Sequence, residues 1–155
     1  MTGVFTSLAL ADLPRPDYAD VVLVPLPDGA PTDPAVWARE IFAVRSAPPW
    51  VRVAFAVRQS VVALIGVSRG DQGVFDVDRV EGEEALIVAD DRHLDFRAAV
   101  GVDVGARLVR VTTAVRLHGW RGRGYFGPVR LAHGPVVHAM LTRAARGLAG
   151  GDAVR

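Results

Sequence analysis

The sequence predicts an α+β domain in which a curved antiparallel sheet wraps around a long C-terminal helix, with two short helices after the first strand. Three patterns support this prediction: an early β-rich run followed by two helical stretches, a middle series of short β-rich runs separated by turn residues, and a final helical stripe. Consecutive strands with the helices set apart are typical of α+β folds. We expect one domain over 1–155, with an extension at 1–17, a core at 18–149 and a tail at 150–155.

The first strand is predicted over residues 18–26, where four consecutive apolar residues precede two prolines that cannot continue a ladder. A helix is predicted from Asp33 to about Val44. Asp33 can accept a capping hydrogen bond, and Pro34 suits the first helical position because no donor is missed there. Apolar residues then recur every three or four positions over residues 50–66 and predict the second short helix.

The best-determined part of the predicted sheet is a hairpin of residues 94–104 and 107–118. Closing it with a two-residue turn at 105–106 makes one face almost wholly apolar, and a shift by one residue would destroy that pattern. The other face is predicted to be exposed, with Asp95 paired to Arg116. The apolar face consists of the cross-strand pairs Leu94 with Leu117, Phe96 with Val115, Ala98 with Thr113, Val100 with Val111, and Val102 with Val109.

The last helix is predicted to follow a glycine-rich connector that begins after Trp120. Proline removes a helical donor and crowds the preceding turn, so Gly134 and Pro135 predict a kink or a split in this helix. Its apolar stripe comprises Phe126, Val129, Val137, Met140, Leu141, Ala144 and Leu148.

Composition excludes several kinds of site. The chain has no cysteine, which removes disulfides, thiolate nucleophiles and cysteine-ligated metals. The start has no basic region ahead of its apolar residues, so we expect a cytoplasmic protein without a secretory signal. The most apolar stretch, residues 50–67, is interrupted by Arg52 and Arg58, so no membrane span is expected.

Three glycines, Gly122, Gly124 and Gly127, form a G-x-G-x-x-G pattern between a strand and a helix, as in a dinucleotide-binding turn. The rest of that unit is missing, because no second parallel strand and no suitably placed acid follow. We therefore interpret these glycines as a flexible connector and expect no cofactor.

Asp91, His93 and Asp95 alternate, so on one strand they would share a face and could bind a metal or act as an acid and a base. They straddle a turn, however, where aspartates usually accept hydrogen bonds from the backbone. Catalysis by these three residues is kept as the lesser alternative, and no metal is expected. His133 and His138 lie five positions apart, which points them to different sides of a regular helix.

Charge is unevenly distributed along the chain. Residues 71–104 contain ten acids against three arginines, whereas residues 105–155 contain nine arginines against Asp152 alone. The formal net charge of the whole chain is only +1, so the two segments are expected to face each other within one fold. We therefore expect no nucleic-acid partner.

The chain resembles the bacterial domain of unknown function 2867 family, within the helix-grip superfamily that includes polyketide cyclases and lipid-transfer domains. The resemblance covers residues 18–146, and residues 90–97 are its most specific part. It implies a helix-grip-like fold with a possible cavity between the sheet and the last helix, but it brings no activity and no catalytic residues. The segments that carry it are Asp17 to Asp20, Val24 to Pro27, Trp37, Ala47 to Trp50, Asp90 to Arg97, Val115 to His118, Arg130 and His133.

The leading hypothesis is a protein that binds a small apolar molecule between the apolar sheet face and the last helix. Thr113 and His133 would be the few polar groups that orient the ligand. The alternative is a filled core in a protein that acts through its surface, as a subunit or regulator. The sequence predicts neither the identity of a ligand nor the oligomeric state. The residues predicted to line the ligand site are Phe96, Ala98, Val111, Thr113, His133, Val137 and Met140.

Overall fold

A computed structural model describes residues 5–43, 76–90 and 92–149. It confirms the α+β prediction: an open, curved, five-stranded antiparallel sheet packs against a long C-terminal helix. The strand order is β1-β5-β4-β3-β2. The helix predicted over residues 50–66 lies outside the described residues. The elements are α1 (Leu8–Asp12), β1 (Tyr18–Pro25), α2 (Pro34–Phe42), β2 (Val77–Glu81), β3 (Glu84–Asp90), β4 (Leu94–Asp103), β5 (Leu108–Leu117) and α3 (Gly119–Ala149).

The register predicted for the β4–β5 hairpin is confirmed along its whole length, from the pair Leu94 and Leu117 to the pair Asp103 and Leu108. The turn is longer than predicted, because residues 104–107 leave the ladder. The side chain of Asp103 closes this turn by accepting a hydrogen bond from the backbone N–H of Ala106 at 2.8 Å. The turn keeps its centre between the same two residues, so its extra length does not change the register.

The predicted ion pair between Asp95 and Arg116 is wrong, although the two residues are opposite each other in the ladder. Asp95 instead contacts Nε2 of His118 at 3.0 Å. Arg116 donates its Nε hydrogen to the backbone carbonyl of Arg15 at 3.3 Å. The N-terminal segment therefore supplies an acceptor that the hairpin alone could not reveal.

Helix α2 begins as its sequence predicts. Asp33 accepts a hydrogen bond from the backbone N–H of Ala35 at 2.8 Å, and Pro34 occupies the first turn. The helix buries Trp37 and Ile41 against the sheet. The indole N–H of Trp37 donates to the carbonyl of Pro31 at 2.7 Å, so the buried ring keeps its polar group satisfied.

The main core lies between the sheet, α2 and α3. It is built from the alternate residues of each strand that face the helices, together with one stripe of each helix. Its fully buried members include Trp37, Ala38, Ile41, Ala85, Ile87, Ala98, Val100, Val109, Val111, Leu141 and Ala144.

The opposite face of the sheet carries a second, smaller core and is not exposed as the hairpin alone predicted. Ala9 and Leu13, at either end of α1, pack against Leu86, Ala99 and Ala114 of the central strands. The sequence alone predicts residues 1–17 only as an extension of the core. The apolar side chains of α1 find a partner only once the sheet exists, because a helix of five residues is not stable alone.

Ion pairs and hydrogen bonds also hold α1 on the face of the sheet opposite α3. Arg97 of β4 forms ion pairs with both Asp12 and Asp90. The buried carboxylate of Glu84 accepts a hydrogen bond from the backbone N–H of Leu8 at 2.6 Å and also pairs with Arg110 at 3.0 Å. The ion pair between Arg110 of β5 and Glu84 of β3 therefore provides part of the predicted attraction between the basic and the acidic segment.

Helix α3 is continuous from residue 119 to residue 149. The predicted glycine connector and the predicted split at Pro135 are therefore both wrong. One glycine has a clear packing role, because a Cβ built on Gly122 would lie 2.5 Å from the carbonyl oxygen of His93. The contact between α3 and the sheet outweighs the weak helix propensity of this segment. Within the described residues, no helix is both long enough and apolar enough to cross a membrane.

Candidate functional site

A polar cluster lies where α3 crosses β1 and β5, in a layer that is otherwise apolar. Tyr18 and Asp20 alternate on β1 and therefore point to the same side of the sheet. Thr113 is directly opposite Asp20 on β5, and His133 reaches the same carboxylate from α3. The four side chains thus come from three separate elements.

One oxygen of Asp20 holds two of these partners. The Tyr18 hydroxyl donates to Oδ2 of Asp20 at 2.7 Å, and Nδ1 of His133 lies 2.9 Å from the same oxygen. Only 20% of the Asp20 side chain and 14% of the His133 side chain are exposed. Because a carboxylate accepts, Nδ1 of His133 carries the proton, and Nε2 bears the lone pair when the imidazole is neutral.

The cluster keeps Asp20 ionised. Burial alone would raise the pKa of Asp20, but hydrogen bonds from His133 and Tyr18, with a further contribution from Thr113, outweigh burial and hold the pKa below its ordinary value. Burial and the neighbouring carboxylate raise the pKa of Tyr18 to about 12, although the positive charge of Arg130 opposes them. Tyr18 therefore stays protonated and remains a donor at neutral pH.

The second oxygen of Asp20 has no hydrogen bond of normal geometry from the described residues, although Thr113 also lowers the pKa of this carboxyl. This oxygen, Oδ1, is buried. Leaving a buried acceptor unsatisfied costs about 1–3 kcal/mol, and more when the group is charged. With respect to the described residues, Oδ1 therefore remains an acceptor that a donor on a bound molecule or a water molecule would satisfy.

Aromatic rings fix the orientation of the cluster. The Tyr18 ring packs edge to face against Phe126, with the ring centroids 5.2 Å apart, and against His133 at 5.6 Å. Phe126 belongs to the first half of α3 and is buried. The rings hold the Tyr18 hydroxyl over Asp20 and restrict rotation of the imidazole.

The structure places all seven predicted ligand residues in the layer between the sheet and α3. Ala98, Val111 and Met140 belong to the main core, and Phe96 and Val137 pack against its edge. The other two, Thr113 and His133, are brought together around Asp20. Ligand binding by these seven residues stays a prediction.

Sequence reasoning missed Tyr18 and Asp20 as site residues, although both lie in the segment 17–20 that carries the family resemblance. The signal that could have identified them is the alternation along β1. Positions 18 and 20 lie two and four residues before Val22 and Val24, which face the core, so all four side chains lie on the same side of the strand. A polar pair on the apolar side of a strand is unusual and indicates either a satisfied network or a site.

A second feature is an open depression of about 390 Å³ between the end of β1 and the C-terminal half of α3. Its floor is apolar, and its rim carries His138, Thr142 and Arg146. None of the seven predicted ligand residues lines it. His138 is thus on a different part of the surface from His133, as the spacing of the two residues predicts. The floor consists of Val24, Pro25, Pro27, Ala145 and Ala149.

The alternative site of Asp91, His93 and Asp95 is not assembled by the residues that the structure describes. Asp91 lies outside them, and Asp95 contacts His118. His93 offers its backbone carbonyl to the N–H of His118 at 2.8 Å. In the described ranges 5–43, 76–90 and 92–149, no group of three or more metal-ligating side chains is placed to bind an ion.

Comparison with known proteins gives one match. The sequence model of a family described as "Protein of unknown function (DUF2867)" matches residues 13–140. This range contains all four residues of the polar cluster and excludes α1. Neither the curated proteins nor the solved structures contain a match.

Proposed function

The chain belongs to the family of proteins of unknown function DUF2867, and from that premise we propose that it is a cytoplasmic protein that binds a small apolar molecule between the sheet and α3. The molecule carries a hydroxyl or amino group that donates a hydrogen bond to Asp20. We also propose that the chain belongs to the helix-grip superfamily. The curved antiparallel sheet and the long C-terminal helix support that placement.

The observation that carries this proposal is the buried Oδ1 of Asp20, which accepts no hydrogen bond of normal geometry from the part of the chain that the structure describes. Tyr18 and His133 already occupy the other oxygen, so a donor on the ligand would complete the coordination of the carboxylate. Few polar groups within an apolar lining are typical of small-molecule sites, because the polar groups orient the ligand while the lining desolvates it.

Uptake of a ligand requires α3 to move, since Thr113 and Val111 beneath it are closed off from solvent. The first half of α3 is suited to such movement. It contains Pro128 as well as several glycines, Pro135 follows directly after it, and both residue types lower the intrinsic stability of a helix. Opening of this half would expose the cluster while the second half of α3 stays packed on α2.

A direct test uses N-phenyl-1-naphthylamine, an apolar fluorescent probe with one N–H donor. We expect saturable binding of one probe per chain and a loss of affinity of about tenfold in Asp20→Asn, because a charge-assisted hydrogen bond is weakened. Val21→Phe is the matched control, since Val21 is on β1 but is exposed on the opposite side of the strand. Absence of saturable binding in the wild-type protein would refute the proposal.

A second candidate function is that of a subunit that associates with a second copy of this chain through α3. Trp120 and Leu131 are 78% and 82% exposed, and their spacing of eleven positions places them on one face of the helix. This candidate is tested by sedimentation at several protein concentrations, which compares the wild-type protein with a double variant that carries Trp120→Ala and Leu131→Ala. A concentration-dependent complex that the double variant loses would favour it, and a monomer at all concentrations would exclude self-association.

A further inference from the structure

We infer that Asp20 and His133 form a proton-transferring dyad, so that the protein acts catalytically on an apolar molecule that carries a weakly acidic C–H or O–H group. The inference rests on the proposed function for the location of the ligand. It goes further because it assigns a chemical step, with Nε2 of His133 as the general base.

The geometry of the contact between Asp20 and His133 suits His133 to act as a base. The contact of 2.9 Å between Nδ1 of His133 and Oδ2 of Asp20 fixes the imidazole tautomer and the ring orientation. Nε2 then carries the lone pair, and it makes no hydrogen bond to any described residue. A histidine held by a carboxylate at one nitrogen and open at the other is the arrangement that general bases share.

The charges around His133 also suit this role. Three ionisable groups surround the imidazole or its contacts: Tyr18 and Asp20 of β1, and Arg130 of α3. Asp20 is held ionised and stabilises the imidazolium that forms when Nε2 takes a proton. Tyr18 stays protonated, so it cannot compete as the base and continues to support the carboxylate through its hydroxyl.

The step can be written with 5-nitrobenzisoxazole, an apolar compound that needs no oxidant, reductant or second reactant. It has no O–H or N–H donor for Asp20, so it reports on the base at His133 separately from the hydrogen bond of the proposed ligand. Nε2 takes the proton from the ring carbon, and the electrons of that C–H bond form the carbon–nitrogen triple bond. The ring N–O bond breaks at the same time, and its electrons become the charge of the coloured phenolate product. His133 then returns the proton to solvent, and the dyad is restored.

The first experiment follows formation of this phenolate between pH 5 and 9. The wild-type protein is expected to exceed an equal concentration of imidazole by roughly tenfold or more, and His133→Gln should lose that excess. Asp20→Asn should lower the rate, since the carboxylate that holds Nδ1–H of His133 and fixes the imidazole tautomer is lost. His138→Gln is the matched control on the same helix and should leave the rate unchanged.

A second measurement needs no bound substrate. Diethylpyrocarbonate modifies unprotonated imidazole nitrogens, and peptide mass analysis reports which histidine has reacted. We expect modification of His133 in the wild-type protein, and no such adduct at this position in His133→Gln. Because this readout does not involve N-phenyl-1-naphthylamine, it can succeed where ligand binding fails, and the two proposals are separable.

Two outcomes overturn the dyad. One is a phenolate rate that His133→Gln leaves unchanged, which would place the base elsewhere. The other is a wild-type protein whose exposed His138 is modified while His133 is not, which would mean that Nε2 is closed to small molecules.

Discussion

Gly122 of α3 sits directly against the backbone carbonyl of His93, and a Cβ at this position would lie 2.5 Å from that oxygen. Alanine normally stabilises a helix relative to glycine by about 1 kcal/mol. Here the close contact is with backbone, so the start of α3 or the turn before β4 would have to shift.

We therefore predict that Gly122→Ala lowers the free energy of unfolding by about 1–3 kcal/mol, because overpacking outweighs helix propensity. Gly124→Ala is the control: nothing lies within 4 Å of its Cβ position, so it should raise stability by about 0.5–1 kcal/mol. Urea unfolding of the two variants measures both effects. Equal effects of the same sign would contradict the close contact.

Thr113 offers a test of how tightly the layer between sheet and α3 is filled. Its side chain is 1% exposed and lies opposite Asp20. Thr113→Phe adds volume to this closed layer, so we predict a loss of about 1–3 kcal/mol of stability and loss of probe binding. Thr113→Val, which keeps the volume, separates the steric effect from loss of the hydroxyl. An unfolding free energy unchanged in Thr113→Phe would mean that space for a ligand exists beside β5.

Asp12 gives the fold a predictable response to acid. Hydrogen bonds from Arg97 and Arg79 hold the pKa of Asp12 below its ordinary value of 3.8. Its ionised form is therefore favoured by folding, and the stability that it contributes is present above about pH 4 and is lost as the pH falls through the lowered pKa.

We predict that Asp12→Asn destabilises the protein at pH 7 and that the difference from wild type shrinks below pH 4. Unfolding in urea at pH 7, 5 and 3 measures it. Asp76→Asn is the control, because Asp76 is exposed and forms no ion pair with any other described residue. A difference between Asp12→Asn and wild type that does not change with pH would argue against the ion pair with Arg97.

The contact between Asp95 and His118 predicts that Asp95 is energetically coupled to His118 and less so to Arg116. A double-mutant cycle on these two residues should give a coupling of at most about 1 kcal/mol, since both are partly exposed. The cycle on Asp95 and Arg116 should give less, because Arg116 is bonded to the backbone of Arg15. The reverse ranking would restore the ion pair that the sequence predicts.

Local rules were sufficient for the hairpin and for α2. Strand residues alternate with a period of two, so a single turn position determines every pair from Leu94 to Asp103. The start of α2 needs only Asp33 and Pro34, because a helix cap is made by neighbours in sequence.

The polar cluster and α1 depend on partners far away in the chain, so no local pattern could predict them. Asp20 and His133 are 113 positions apart and meet only because α3 crosses β1. In the same way, Asp12 binds a residue that lies 85 positions later. The prediction of a connector and a split in α3 failed for a different reason. Glycine and proline do weaken a helix, but packing of α3 against the rest of the fold outweighs that local preference.

The place of β1 in the sheet has a consequence for the lifetime of the site. Within the described residues, β1 is an edge strand that pairs only with β5, yet it carries both Tyr18 and Asp20. Edge strands open in local fluctuations that leave central strands intact, and such openings need less free energy than global unfolding. Fraying of β1 would therefore dismantle the carboxylate cluster while β3, β4 and β5 remain protected from hydrogen exchange.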